Sequence, residues 1–172
     1  TRIFTHAGLR VFDIDELPTH GGSLRIYGCH DNDPRCTESA VQWMLEKEKD
    51  FGLQDPQVYR DFQLKANKVK NDFFAFLIEQ KKAGKTIGAY GAAAKGNTLM
   101  NYAGVKHKHD LIDFVCDAAT SKQGKFMPGS HIPILPPEEL VRRKPDWVII
   151  LPWNIAEEVM SQQQQVISWG GK

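Results

Sequence analysis

In the segment TIGAYGAAAKGNTLMNY, residues 86–102, a β-prone start runs into glycine and alanine, then one lysine and a helix-compatible tail. Side chains this small let backbone N–H groups come close to a ligand. The first turn of a following helix offers further N–H groups and a partial positive charge. A phosphate is the chemistry such a turn invites. Lys95 adds a point charge, and Asn97 adds a donor and an acceptor, so Gly91, Ala92, Ala93, Lys95, Gly96 and Asn97 form a candidate cradle. It is not a Walker loop, because the lysine precedes the last glycine and no Ser or Thr follows it directly, nor does the glycine spacing fit the dinucleotide fingerprint. The competing explanation is that the alanines only let a helix pack close to a strand.

Other chemistry-bearing residues fall at the ends of neighbouring apolar runs. Asp117 ends DLIDFVCD, 26 positions after Gly91, where an acidic residue in a mononucleotide fold meets ribose hydroxyls. Capping the next turn is the alternative. Lys122 and Lys125 lie in SKQGKFMPGSHIPIL, a loop marked by Gly124, Pro128 and Gly129, and both are expected to face the same crevice. Asn154, in LPWNIAEE, is placed to cap a last helix. His20 stands in the turn ELPTHGGSLR ahead of Gly21, Gly22 and Ser23. An unperturbed imidazole titrates near neutrality and is the commonest general base, although a lone loop histidine also fits a plain surface role. His107 and His109, in KHKHD, read as a solvated turn.

The elements that must position these residues follow from the patterning. LRVFDIDEL (9–17) and GSLRIYGC (22–29) mix β-branched, aromatic and polar residues around the turn PTHGG and predict a hairpin. Thr37 is expected to cap a helix through ESAVQWMLEKEKDFG, stopped at Gly52. Asp55 and Pro56 suit the start of a long helix whose stripe of Val58, Phe62, Val69, Phe73, Phe76 and Leu77 runs until Gly84. Beyond Gly84, the runs TIGAYG, DLIDFVCD, IPIL and DWVIILPW alternate with helices starting near Lys95, Pro136 and Asn154. This is the rhythm of a parallel sheet with crossover helices. DWVIIL reads as a strand covered on both faces. The loops GAAAKGN, CD, SKQGKFMPGSH and LPWN then converge on the carboxyl edge of the sheet, where ligands of open α/β sheets sit.

Composition sets the outer limits. The chain has 172 residues, 41% of them hydrophobic and 25% charged, with a formal net charge of +1, so it can bury a core and has no general pull toward nucleic acid or an anionic membrane. No run approaches the roughly 18 apolar residues of a membrane span, and the opening lacks the regions of a secretion signal. Cytoplasm is the expected location. Cys29, Cys36 and Cys116 are too scattered for a disulfide framework and read as reduced thiols. CHDNDPRC lacks the closer cysteine pairs and the four ligands of a usual zinc site, and a polar turn after a strand explains it; no metal is expected in this chain. The abrupt ends, TRIFTHAGLRVF with no helix before its strand and VISWGGK with no strand after its helix, read as cuts in a longer polypeptide.

THGGSLRIY, GAYGAAAKGNTLMNYAG, DFVCDAATSKQGKFMPGSHIPIL and PDWVIILPWNIAEEV together resemble the C-terminal part of the S-adenosylmethionine-dependent C-methyltransferases, a group that includes deoxysugar C-methyltransferases; the likeness runs from about Val11 to the end. The resemblance implies a Rossmann-like three-layer α/β fold, a parallel sheet with flanking helices, preceded by a short hairpin and two helices. Residues 1–36 would be lead-in strands from the junction with a methyl-donor domain, 37–83 a helical segment, and 84–172 the Rossmann-like substrate-binding domain. It implies that His20 is the base that takes the proton next to a keto group, that S-adenosylmethionine is bound mainly by the missing domain, and that zinc belongs only to a missing N-terminal domain. The implied substrate is a small molecule such as a dTDP-sugar, and the implied partner is the methyl-donor domain of the same polypeptide. Where the sugar enzymes carry a tyrosine and a glutamate just before this histidine, the chain has Leu17 and Thr19. Two other classes fit parts of the pattern. One is a nucleotide- or dinucleotide-binding module, which leaves THGGSLR unexplained. The other is a structural domain that only docks.

Overall fold

The computed structural model describes residues 1–19 and 22–172. Its chain divides into two compact units, Thr1–Gln63 and Leu64–Lys172.

In the first unit a short helix α1 (Arg2–His6) precedes β1 (Leu9–Leu17), where the sequence pattern gave no helix. β1 pairs antiparallel with β2 (Ser23–His30), from Leu9 opposite His30 to Leu17 opposite Ser23, with a shift of register between Val11 and Asp13. Near the turn, the Gly22 N–H and the Ser23 hydroxyl both donate to the Thr19 carbonyl, at 3.0 and 2.9 Å. α2 (Ser39–Asp50) starts after Glu38 with no side-chain cap. The expected cap, Thr37, lies one residue before the N-cap position, and its hydroxyl accepts from the Arg10 guanidinium at 3.0 Å. α3 (Pro56–Lys82) begins in this unit, and its stretch from Leu64 belongs to the second. Asp55 caps it as expected, accepting the Gln57 N–H at 2.8 Å.

The second unit is built on four parallel strands. β3 (Ile87–Tyr90), β4 (Phe114–Cys116), β5 (Ile134–Leu135) and β6 (Trp147–Ile150) stand in the order β5-β4-β3-β6. α4 (Ala94–Tyr102) connects β3 to β4, α5 (Glu138–Arg143) connects β5 to β6, and α6 (Ala156–Gln162) follows β6. The alternation along each strand separates two cores. Ile87, Ala89, Val115 and Ile134 face one side with Leu77 of α3 and Met100 of α4, whereas Tyr90, Phe114 and Cys116 face the other with Leu140 of α5 and Val159 of α6. The result is a three-layer α/β unit of the expected class. At its entrance Gly84, with φ +73°, ends α3 as expected.

Two apolar patterns pack less fully than their sequence implies. β6 is an edge strand of the four-stranded sheet and all of its residues are half-buried; Trp147 and Ile149 pack against one core and Val148 and Ile150 against the other, so the run DWVIIL is covered on both faces but less fully than a central strand. On its outer side it pairs with the last residue of the chain. The Val148 N–H donates to the Lys172 carbonyl at 2.8 Å and the Lys172 N–H to the Asp146 carbonyl at 2.9 Å. On α3, Phe73, Phe76 and Leu77 join the core and Val58 is half-buried, whereas Phe62 and Val69 between them are exposed. No helix among the described residues is long and apolar enough to cross a membrane.

Candidate functional site

The four expected loops meet at the carboxyl edge of the sheet, the last of them through Pro152, which packs on Gly91. The parallel register of β3 and β4 sets Tyr90 opposite Cys116, so the residues that follow, Gly91 and Asp117, leave the sheet side by side. The Gly91 N–H donates to the Cys116 carbonyl at 2.7 Å. From there the chain turns sharply, with the Ala93 N–H donating to the Gly91 carbonyl at 2.7 Å, and enters α4. Gly91 has φ +88°, and a Cβ there would lie 2.5 Å from the Pro152 ring, so both its conformation and its neighbour demand glycine.

An open crevice of about 430 Å³ lies in front of this turn, lined among others by Ala92, Ala93, Asn97, Lys122, Lys125 and Met127. α4 begins beside it with Ala93 as N-cap, a residue that provides no side-chain cap. The donors of a helix's first turn have no partner within the helix. The amide oxygen of Asn97 is buried and has no hydrogen-bond partner among the described residues. The arrangement offers small side chains, a helix start and lysine side chains to one ligand group.

Asp117 lies behind the crevice rather than on its wall, 7% exposed. One carboxylate oxygen accepts the Ala92 N–H at 2.7 Å and the Lys122 ammonium at 3.0 Å, and the other accepts the Ala119 N–H at 2.8 Å. The Asp117 carbonyl accepts from the Gln123 side chain at 2.9 Å. Next to it, burial and then the Asp117 charge hold the Tyr90 phenol above its ordinary pKa.

The other expected site residues are distributed around this crevice or away from it. Lys95 is exposed on the first turn of α4. Gly96 is buried against Leu151. Asn154 sits in a 3-10 turn, Trp153–Ile155, and α6 takes Ile155 as its N-cap. The expected cap by Asn154 is therefore not made, because the chain leaves β6 through this tighter turn before the helix starts. Gly22 and Ser23 belong to the first unit. His20 and Gly21 lie outside the described residues. The wall residues Phe126 and Met127 were not singled out from sequence, and Pro128 only as a marker of the loop that holds all three. Cys29 is buried and Cys36 exposed, and among the described residues no three His, Cys, Asp or Glu side chains gather into a metal-holding group.

These features define an α/β unit with a small-residue turn and a crevice at the carboxyl edge of a parallel sheet, joined in one chain to a hairpin unit. The chain belongs to the C-methyltransferase C-terminal domain family, whose profile matches residues 18–172. It is 32% identical over 170 residues to the C-methyltransferase NovU of Streptomyces niveus, an alignment that takes in 99% of this chain and 40% of NovU. The chain thus spans about 40% of the length of that curated relative.

Proposed function

We propose that this chain is the substrate-holding part of an S-adenosylmethionine-dependent C-methyltransferase that methylates a carbon next to a keto group, on a nucleotide-linked sugar such as a dTDP-sugar. The observation that carries the reading is the family match over residues 18–172, which takes in both the HGGS turn and the GAAAKGN turn.

The crevice supports an anionic ligand. Gly91, Ala92, Ala93 and Gly96 admit a phosphate to the start of α4, Lys95, Lys122 and Lys125 supply positive charge nearby, and Asn97 and Asn154 supply polar groups at the same edge of the sheet. In this reading His20, with Gly21, Gly22 and Ser23 shaping its turn, takes the proton from the carbon beside the carbonyl. The C–H electron pair passes into the enolate, whose carbon is then the nucleophile. An imidazole that is neutral near pH 7 suits that step. S-adenosylmethionine, when bound, supplies the electrophilic methyl group. In this reading the donor is held mainly by the rest of the enzyme, a division supported by the engagement of Asp117, the acidic side chain at the end of β4, by three donors of its own loops. Zinc, if the whole enzyme carries it, belongs to that part as well.

The partner in this reading is the methyl-donor domain of the same enzyme. The first unit supports it with an apolar groove of about 730 Å³, beside which Ile3, Leu24 and Ile26 are exposed. The location in this reading is the cytoplasm.

Titration calorimetry of the chain with dTDP, with S-adenosylmethionine and NAD as controls, tests the proposal. Binding of dTDP alone, lost in Lys95→Ala, is the expected result. Absence of dTDP binding removes the phosphate cradle, and binding of NAD favours a dinucleotide module.

A further inference from the structure

We infer that Asp117 is a positioning residue, a latch between the loops after β3 and β4 that sets the backbone of the GAAAKGN turn, and not a contact for a ligand's ribose. The inference rests on the reading of the crevice as an anion site only for its ligand measurements; the latch itself is a property of the loops.

The geometry separates the two roles. A ribose contact needs a carboxylate oxygen turned toward the crevice with capacity to spare. Asp117 is 7% exposed and does not line the crevice. Its oxygens already accept from Ala92 at 2.7 Å, Ala119 at 2.8 Å and Lys122 at 3.0 Å. Hydrogen bonds to an ionised acceptor at these lengths are the stronger kind. They also come from three directions: from the turn after β3, from the turn after β4, and from a side chain of the crevice wall. With the Gly91 to Cys116 bond at 2.7 Å, the Ala92 bond makes two consecutive links across the loops and fixes the direction in which the chain enters α4.

Charge points the same way. A bare carboxylate behind a phosphate site would repel the ligand, but Lys122 neutralises it. Asp117 and Lys122 therefore form one unit that orders the turn at little cost in local potential. The ligand charge is left to the start of α4 with Lys95 on its first turn, and to Lys125, whose exposed side chain is on the crevice wall.

Amide hydrogen exchange by NMR on Asp117→Ala and Asp117→Asn reads the latch directly. For Asp117→Ala, exchange at Ala92 and Ala119 is expected to rise roughly tenfold or more, as a charged acceptor is lost, while Ala89 and Val115 in the strands keep their protection. Asp117→Asn, which keeps the shape and one acceptor oxygen, is expected to fall between, and it carries the same measurement if the alanine variant does not fold. Unchanged exchange at Ala92 in both variants overturns the inference. Titration with inorganic pyrophosphate and with dTDP then separates positioning from ribose contact. A latch weakens both ligands by the same factor, whereas loss of dTDP affinity with pyrophosphate unaffected makes Asp117 a ribose contact and overturns the inference. If wild type binds neither ligand, the anion reading of the crevice fails and the exchange rates alone decide the latch.

Discussion

A Cβ built on Gly96 would stand 2.4 Å from the Cβ of Leu151 and 3.1 Å from its Cγ. α4 thus crosses the end of β6 at a distance that only a hydrogen atom allows. The last glycine of GAAAKGN therefore has a packing reason that needs no ligand. Gly96→Ala would gain about 1 kcal/mol of helix propensity. It would lose about 3 kcal/mol to overpacking, at the upper end of the usual cost, because the Leu151 Cβ is fixed to the backbone and cannot swing aside. We expect a net loss of about 2 kcal/mol, read as a lower urea midpoint with an unchanged slope. An unchanged midpoint would return Gly96 to the ligand side of the account.

That pair also shows where sequence reading stopped. The order of strands and helices after Gly84 was legible because short apolar runs alternate with helical stretches, and the GAAAKGN turn was legible because so many small residues in a row require a reason. Which reason applies to each of them was not. Gly96 answers to Leu151, 55 positions away, and Gly91 to Pro152. Asp117 meets Ala92 only because parallel register brings two strand ends together. Thr37 and Asn154 have the residue type of a cap, but the first lies one residue before the N-cap position and a 3-10 turn intervenes at the other. Local chemistry names candidates, and long-range packing chooses among their roles.

Asp146 links the starts of β3 and β6. Its carboxylate accepts the Thr86 N–H and the Thr86 hydroxyl, each at 2.9 Å, and the Lys85 ammonium at 3.0 Å. The Thr86 N–H first, then Lys85 and the Thr86 hydroxyl, hold its pKa down to about 2, against an ordinary value of 3.8. A folded-state pKa below the unfolded one stabilises fully above the unfolded value, and the stabilisation is lost as pH falls through the folded value. The contribution of Asp146 is therefore complete above about pH 4 and disappears toward about pH 2. Asp146→Asn is expected to lower Tm at pH 7 and to reduce the slope of Tm against pH across that window. A slope equal to that of wild type would show that Asp146 does not carry it.

Thiol chemistry distinguishes the three cysteines. Burial, with the Glu139 charge second, pushes the Cys116 thiol up to about 12, and Cys29 is buried as well, whereas Cys36 is exposed. Because the thiolate is the reactive form, a disulfide reagent at pH 8 is expected to label Cys36 quickly and the other two only after denaturation. Rapid native labelling of Cys116, located by peptide mapping, would mean that the sheet face under α5 opens more readily than its packing implies.

The role of general base proposed for His20 makes the most demanding prediction. A general base contributes roughly 10² to 10⁴ in rate. In a full-length C-methyltransferase carrying this chain, His20→Ala is expected to lower kcat by about 10² or more with little change in KM for the sugar nucleotide. Lys95→Ala is expected to do the opposite, raising KM while sparing kcat, since a phosphate contact binds ground state and transition state alike. Full activity of His20→Ala would end the assignment and move the search for the base to residues outside this chain, while leaving the crevice and its anion reading to be judged by KM.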